Sequence, residues 1–131
     1  MTDPTGAPVP RGVPASLDSM LGLLDLWDSG GTPERLAVKA AVKASLAVLV
    51  ETAPGHAVEV RVPPFAAVQA IEGTRHRRGT PPAVVECDAR TWLALAAGRL
   101  AWSDAVADGR VRASGERSDL SAYLPLAAEN S

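Results

Sequence analysis

The feature that most constrains the fold is a change of hydrophobic period near Pro54. Before this residue, apolar side chains recur every three to four positions, which is the spacing of one face of a helix. After it, in AVEVRV at 57–62, valines alternate with charged residues, which is typical of a strand buried on one face. A chain that contains both periods is expected to fold as an α+β domain.

Two helices are predicted before this strand. The first spans about 14–27 and ends before a Gly-Gly pair that starts at Gly30. The second begins with Thr32 as its N-cap and Pro33 at its first position, and it runs to about Thr52. The apolar face of the first helix consists of Leu17, Met20, Leu21, Leu24 and Trp27.

The middle of the chain is expected to form antiparallel strands. They are predicted at 57–62, 65–71 and 83–88. The Pro-Pro pairs at 63–64 and 81–82 suit turns or sheet edges, because proline cannot donate a hydrogen bond to a neighbouring strand. The segment GTRHRRGTPP at 73–82 is interpreted as a polar hairpin connection between the second and third strands.

The last part of the chain is expected to return to helices. Asp88 is a plausible N-cap for a helix that Gly98 ends. A short helix is predicted around Trp102, followed by a strand in RVRAS at 110–114. Ser118 can cap a last short helix before the chain ends. The order of helices, antiparallel strands, helices, strand and helix indicates an α+β domain.

At 131 residues the chain is expected to hold one domain, at 14–131, after a flexible tail at 1–13. Hydrophobic residues make up 47% and charged residues 21%, which fits a folded globular protein. Cys87 is the only cysteine, so an intramolecular disulfide and a Cys-rich metal site are excluded and a cytoplasmic location is the simpler expectation. The start of the chain lacks the apolar stretch of a secretory signal.

The densest polar cluster lies in GTRHRRGTPP, where three arginines surround His76. Guanidinium groups suit a phosphate or carboxylate, and the alternative is a solvated loop. His76 is either a general base or anion ligand, or a surface histidine, and no nucleophile motif accompanies it. The net charge of −2 and the absence of interleaved aromatic residues argue against nucleic acid as a partner.

A resemblance to a known family lies at 88–120, in DARTWLALAAGRLAWSDAVADGRVRASGERSDL. This stretch resembles the C-terminal signature of the sterol carrier protein (non-specific lipid-transfer) family, and it is similar to stand-alone bacterial and actinobacterial members. The matching residues are Asp88, Leu93, Leu95, Gly98, Arg99, Leu100, Ala105, Gly109, Val111, Gly115 and Leu120. A similar domain ends the mycothiol-dependent maleylpyruvate isomerases, but His56 and His76 are too few and too far apart for the metal site of those enzymes.

The resemblance implies a curved, mainly antiparallel sheet of about four to five strands with helices on one face. It also implies an apolar tunnel between the layers that accepts a fatty acid, an acyl-CoA or a sterol-like or isoprenoid-like molecule. The expected apolar walls are Val60, Val68, Val85, Trp92, Leu93, Leu95 and Trp102. The candidate contacts of an anionic headgroup are Arg61, Arg75, His76, Arg77, Arg78 and Arg112.

Three functions are open at this point. The first is a non-catalytic lipid carrier without a cofactor or metal, with at most transient membrane contact. The second is an interaction module that packs the same residues tightly and uses its N-terminal helix against a partner or a second copy. The third is an accessory enzyme of thiol-conjugate chemistry that uses His76 and the arginines. Cys87 is expected to be a buried, inert thiol.

Overall fold

The computed structural model describes residues 17–73, 83–115 and 117–126. The helices are α1 (Leu17–Asp28), α2 (Arg35–Thr52), α3 (Ala89–Ala97), α4 (Trp102–Ala107) and a terminal 3-10 helix (Ser121–Tyr123). The strands are β1 (Val58–Val62), β2 (Ala66–Ala70), β3 (Ala83–Glu86) and β4 (Arg112–Ser114). This arrangement confirms the predicted α+β class. The tail predicted at 1–13 lies outside the described residues.

The four strands form one mixed sheet in the order β2-β1-β3-β4. The outer pairings, β1 with β2 and β3 with β4, are antiparallel, whereas β1 and β3 run parallel. The sheet is therefore mainly antiparallel, as predicted, but one pairing departs from that pattern. Because β1 lies between β2 and β3, the interpretation of 73–82 as a hairpin connection is wrong: its flanking strands lie on opposite sides of β1.

The strand register creates a continuous apolar layer on one face of the sheet. Val60 of β1 lies directly between Val68 of β2 and Val85 of β3. Every valine of β1 is fully buried, whereas Glu59 and Arg61 alternate with them and face the other side. The alternation in VEVRV therefore becomes an apolar face and a polar face, as the sequence predicts.

The helices cover the apolar face. α2 packs against β2, and α3 packs against both α1 and α2. Their buried side chains join those of the strands in one core, which includes Leu46 and Leu49 of α2 and Trp92 of α3. Burial of this apolar surface is the main source of stability, at roughly 25 cal/mol per Å² removed from water.

A buried hydrogen bond joins two helices inside this core. The indole Nε1 of Trp92 donates to the hydroxyl oxygen of Ser45 at 2.8 Å. The Ser45 hydroxyl in turn donates to the carbonyl oxygen of Ala41, one turn earlier in α2, at 2.7 Å. Both side chains have no exposed surface. The bond satisfies the polar edge of the indole where water has no access, which fixes α3 against α2.

The ends of α3 form as the sequence predicts. The Asp88 side chain accepts a hydrogen bond from the backbone amide of Thr91 at 2.8 Å, which confirms its role as N-cap. Gly98 follows the helix with a φ of 83°, in the left-handed region that glycine adopts without strain. Both signals are local, so they do not depend on the rest of the fold.

Two other predicted helix starts are wrong by a few residues. α2 begins at Arg35 with Glu34 in the N-cap position, not Thr32, and Pro33 is buried and packs against the fold. The 3-10 helix begins after Leu120, not at Ser118, and the Asp119 carboxylate accepts a hydrogen bond from the backbone amide of Ser121. This bond lowers the pKa of Asp119. At α2 the packing of Pro33 shifts the start of the helix, and at the 3-10 helix Asp119 takes the place of Ser118 as the acceptor.

Candidate ligand-binding site

The residues predicted as apolar walls divide between the sheet and the helices. On the sheet, Val68, Val60 and Val85 lie side by side across three strands. Val60 and Val85 have no exposed surface, whereas Val68 lies on the edge strand and is partly exposed. The register thus brings together three valines that are far apart in the sequence.

The other predicted wall residues lie on helices. Trp92, Leu93 and Leu95 come from α3 and are at most 1% exposed. Trp102 begins α4 and is half-buried against the same core. All of the predicted walls therefore lie in one apolar core or against it. Their side chains pack closely together, and none of them lines either of two surface grooves of the described residues, one where β3 leads into α3 and one at the β1–β2 turn.

The predicted headgroup residues lie elsewhere. Arg61 and Arg112 are on the polar face of the sheet, in one row with Glu86 between them. Arg61 is 2.9 Å from the Glu59 carboxylate and 3.8 Å from that of Glu86. The hydrogen bond to Glu59 raises the pKa of Arg61, so its charge is held at all physiological pH. The remaining candidates, Arg75, His76, Arg77 and Arg78, lie outside the described residues.

A groove of about 800 Å³ opens where β3 leads into α3. One part of its wall is apolar and is formed by Leu24, Ala94 and Leu100, which belong to the core or pack against it. The guanidinium groups in its lining come from Arg90, Arg99, Arg110 and Arg112. Three carboxylates, from Asp28, Glu86 and Asp88, also line it, so the groove joins a charged surface with one surplus positive charge to the edge of the apolar core.

Two of these arginines also fasten α1 to the rest of the domain. Arg90 donates to Asp28 at 2.8 Å, and Arg99 donates to Asp25 and lies 2.6 Å from it. Arg99 is also 3.7 Å from Asp28. All of these side chains are more than a third exposed, so each pair contributes only about 0–1 kcal/mol to stability.

Sequence reasoning did not select Arg90, Arg99 or Arg110 as site residues. A signal was present, because Arg99 directly follows Gly98 and Arg110 directly follows Gly109. Arginines beside helix ends come together when those ends meet at one edge of the fold. The sequence marks the helix ends but does not say which of them are neighbours.

A second, shallower groove of about 310 Å³ lies on the polar side of the β1–β2 turn. Arg61 and Phe65 are part of its lining. The guanidinium carbon of Arg35 lies 5.1 Å from the centre of the Phe65 ring, which is a cation–π distance. This contact connects the start of α2 to the turn, and it accounts for a half-buried aromatic residue at the rim of the sheet.

Cys87 borders the larger groove but is a buried thiol, as predicted. Burial raises its pKa to about 12, with smaller contributions in the same direction from the Asp88 and Glu86 carboxylates. Because the thiolate is the reactive form, we expect the folded protein to react very slowly with a disulfide reagent at pH 8. The absorbance of the thiolate that the reagent releases should rise slowly for the folded protein in buffer and rapidly for the unfolded protein in denaturant.

The same shift has a consequence for stability at high pH. A free thiol ionises near pH ~8.5, so the unfolded state loses this proton well before the folded state does. Below that pH the neutral Cys87 thiol makes its full contribution to the free energy of unfolding. This contribution is lost as the pH rises towards about 12. The free energy of unfolding of a Cys87→Ala variant should therefore decrease less between these pH values than that of the original chain. Rapid labelling of the folded protein would contradict the assignment.

The described ranges contain no helix that is both long and apolar enough to cross a membrane. Within the same ranges, no three His, Cys, Asp or Glu side chains are grouped so that they could hold a metal ion. The one described histidine, His56, is exposed and its Nδ1 lies 2.7 Å from the amide oxygen of Gln69. The described residues thus offer an apolar core and a basic groove as the two features with binding chemistry.

Comparison with known proteins adds the family. No curated protein matches the chain. A family model described as "Bacterial SCP ortholog", where SCP denotes sterol carrier protein, matches residues 34–126, which is more than two thirds of the chain. The match runs from the start of α2 through the 3-10 helix and does not include α1. The chain belongs to this family of bacterial sterol carrier protein orthologues.

Proposed function

We propose that this chain is a non-catalytic carrier that holds an acyl chain or another apolar ligand between the sheet and the helices. The observation that carries the proposal is the row of Val68, Val60 and Val85 on the helix-covered face of the sheet, in a chain of the sterol carrier family. A reducing compartment such as the cytoplasm fits a chain whose single cysteine is buried.

The energetics favour a long apolar ligand. Each methylene that leaves water for an apolar layer gains about 0.8 kcal/mol, so a chain of a dozen methylenes gains about 10 kcal/mol. This gain must exceed the cost of separating wall residues that are packed together in the structure. Small side chains on the sheet, such as Val60 and Ala70, keep that layer thin and leave most of the rearrangement to the helices.

α1 is an element whose displacement would leave the sheet intact. Its buried side chains are Met20 and Leu24, and its ion pairs to Arg90 and Arg99 are exposed. It forms no part of the sheet, and the family match begins after it. Movement of α1 away from α3 would uncover apolar surface without breaking a strand pairing.

A second candidate function is an interaction module whose core holds no ligand. The close packing of Trp92, Leu93 and Leu95, which are at most 1% exposed, favours this alternative. On α1, Leu17 and Leu26 are about 40% exposed and offer apolar contacts to a partner. In this case α1 serves as the interface and the valine row is simply core.

Native mass spectrometry of the purified protein, followed by solvent extraction and lipid analysis, separates the two functions. A carrier should retain a stoichiometric acyl or isoprenoid species, or else bind an added fluorescent fatty acid. A mass equal to that of the bare chain, together with no binding of the fluorescent fatty acid, would contradict the carrier function and favour the module.

A matched pair of variants on β3 then tests where the ligand lies. Val85→Phe adds a ring to the helix-covered face, whereas Val84→Phe adds the same ring to the opposite face one residue earlier. We expect Val85→Phe to weaken fatty-acid binding by at least about tenfold, because the ring takes the volume that the ligand needs. Val84→Phe should bind as the original chain does. Equal affinities in both variants would exclude a ligand beside the valine row.

A further inference from the structure

We propose that the groove where β3 leads into α3 binds the anionic head of an amphiphile, a carboxylate or phosphate carried on an apolar tail. The inference rests on the proposed carrier function and adds to it the position and chemistry of the head. The inference places the head beside residues of α3, the turn after it and the approach to β4.

The shape and lining of the groove fit such a head. Its volume of about 800 Å³ lies within the range of small-molecule sites, which is roughly 300–1,000 Å³. Leu24, Ala94 and Leu100 form its apolar part, and Leu24 is itself a member of the buried core. An amphiphile with its head in the groove can therefore direct its tail along Leu24 towards the core without crossing a polar layer.

The arginines of the groove retain hydrogen-bonding capacity. A guanidinium group carries five N–H donors in a planar fork that matches carboxylate and phosphate oxygens. Arg90 and Arg99 each donate one hydrogen bond within the described part of the chain, to Asp28 and Asp25 respectively. Most of their donors therefore face solvent and are open to a ligand.

Arg110 and Arg112 supply positive charge that no carboxylate of α1 pairs with. Arg110 lies 3.2 Å from Asp108, in a pair whose two side chains are about half exposed. Among residues 17–73, 83–115 and 117–126, no carboxylate lies within ion-pair distance of Arg112. Glu86 lies opposite Arg112 on β3 without forming an ion pair with it, so an anionic head placed beside Arg112 would meet a cation whose donors are not engaged by a carboxylate of these residues.

The carboxylates in the lining do not cancel this charge. Asp88 is engaged at the N-cap of α3, where it accepts from the Thr91 amide. Glu86 lies 3.8 Å from Arg61 of the neighbouring strand β1. Asp28 is shared between Arg90 and Arg99. Each acid thus has a cationic or backbone partner, and the four arginines and three carboxylates of the lining leave a surplus of one positive charge.

The test compares three probes with the same tail: dodecanoate, dodecyl phosphate and dodecanol. Their dissociation constants are measured by calorimetry for the original chain, for an Arg110→Gln/Arg112→Gln double variant and for Lys43→Gln. Lys43 is an exposed cation on α2 outside the groove, so its variant shows the effect of removing one positive charge elsewhere on the surface. Circular dichroism and a melting curve check that each variant is folded.

We expect the double variant to bind both anionic probes about tenfold more weakly, because two charge-assisted hydrogen bonds are lost, and to bind dodecanol unchanged. Lys43→Gln should bind all three probes as the original chain does. A larger loss for dodecyl phosphate than for dodecanoate would assign the head as a phosphate, and the reverse would assign a carboxylate.

Two results would overturn the inference in distinguishable ways. If all three probes bind but the double variant loses no affinity, or loses it equally for dodecanol, the carrier function stands and the head does not occupy this groove. If none of the probes binds to the original chain, the carrier function fails and the groove inference fails with it.

Discussion

Replacement of Trp92 by alanine is expected to lower the free energy of unfolding by about 3–5 kcal/mol, the cost of removing a large aromatic side chain from a packed core. Trp92 has no exposed surface and heads the set of largest fully buried side chains in the described chain. The change also leaves the Ser45 hydroxyl without the indole N–H that it accepts at 2.8 Å. Domains of this size are stable by only about 5–15 kcal/mol, so a large share of the total would be lost.

Urea denaturation followed by circular dichroism measures this loss, since the fluorescence of the indole is itself removed. Trp92→Phe is the matched control, because it keeps an aromatic ring and deletes mainly the N–H group and part of the volume. We expect its cost to be clearly smaller. Trp102→Ala should also cost less, because Trp102 is only half-buried. A loss below about 1 kcal/mol for Trp92→Ala would mean that the core around α3 is loosely packed.

Gly55→Ala is expected to be the second severe change. Gly55 lies between α2 and β1 with a φ of 147°, a conformation that residues with a side chain rarely adopt. A Cβ atom there would overlap the carbonyl group of Ile71 and lie 2.5 Å from the backbone nitrogen of Glu72. These are backbone atoms, so no side chain can turn aside to make room. We expect a loss of several kcal/mol, about 3 or more.

The neighbouring hydrogen bonds explain why the clash cannot relax cheaply. The amide of Ile71 donates to the carbonyl of Ala53 at 2.6 Å, and the amide of Ala57 donates to the carbonyl of Ile71 at 2.9 Å. Both bonds hold the end of β2 against the turn that contains Gly55. Moving Ile71 away from a new Cβ would break them, and this raises the cost of the substitution.

Gly22→Ala is the matched control for Gly55→Ala. Gly22 lies within α1, is exposed, and a Cβ atom added to it would meet nothing within 4 Å. Because alanine favours the helix over glycine, we expect this variant to be more stable by about 0.5–1 kcal/mol. Thermal melting of the two variants side by side should give shifts of opposite sign. A Gly55→Ala variant as stable as the original chain would contradict the turn geometry.

The predictions that the structure confirms rest on local chemistry or on period. The ends of α3 follow from Asp88 and Gly98, whose side-chain oxygen and left-handed backbone act within one helical turn. The alternation in VEVRV predicts which side of β1 is buried, because successive side chains of a strand point to opposite faces. Such features are set by neighbours in the sequence, so the sequence is sufficient to find them.

The features that sequence reasoning missed depend on which elements become neighbours. Nothing in the pattern indicates that β3 pairs in parallel with β1, because a parallel and an antiparallel pairing bury the same alternate residues. For the same reason the meeting of Arg90 and Arg99 at Asp28, across more than sixty residues of chain, is invisible before the fold is known. The groove is therefore a product of topology.

The register of β1 with its two neighbours does not fix the length of the connection between β2 and β3. Val58 pairs with Ala70 on one side and with Ala83 on the other, so β2 ends and β3 begins at the same level of the sheet. Two strand spacings, about 10 Å, separate these points, and three or four extended residues cover that distance. The chain places twelve residues, 71–82, in this gap. Strand pairing therefore sets only a minimum length for the connection between β2 and β3. The sheet does not restrict the charge of most of this connection, or its length above that minimum.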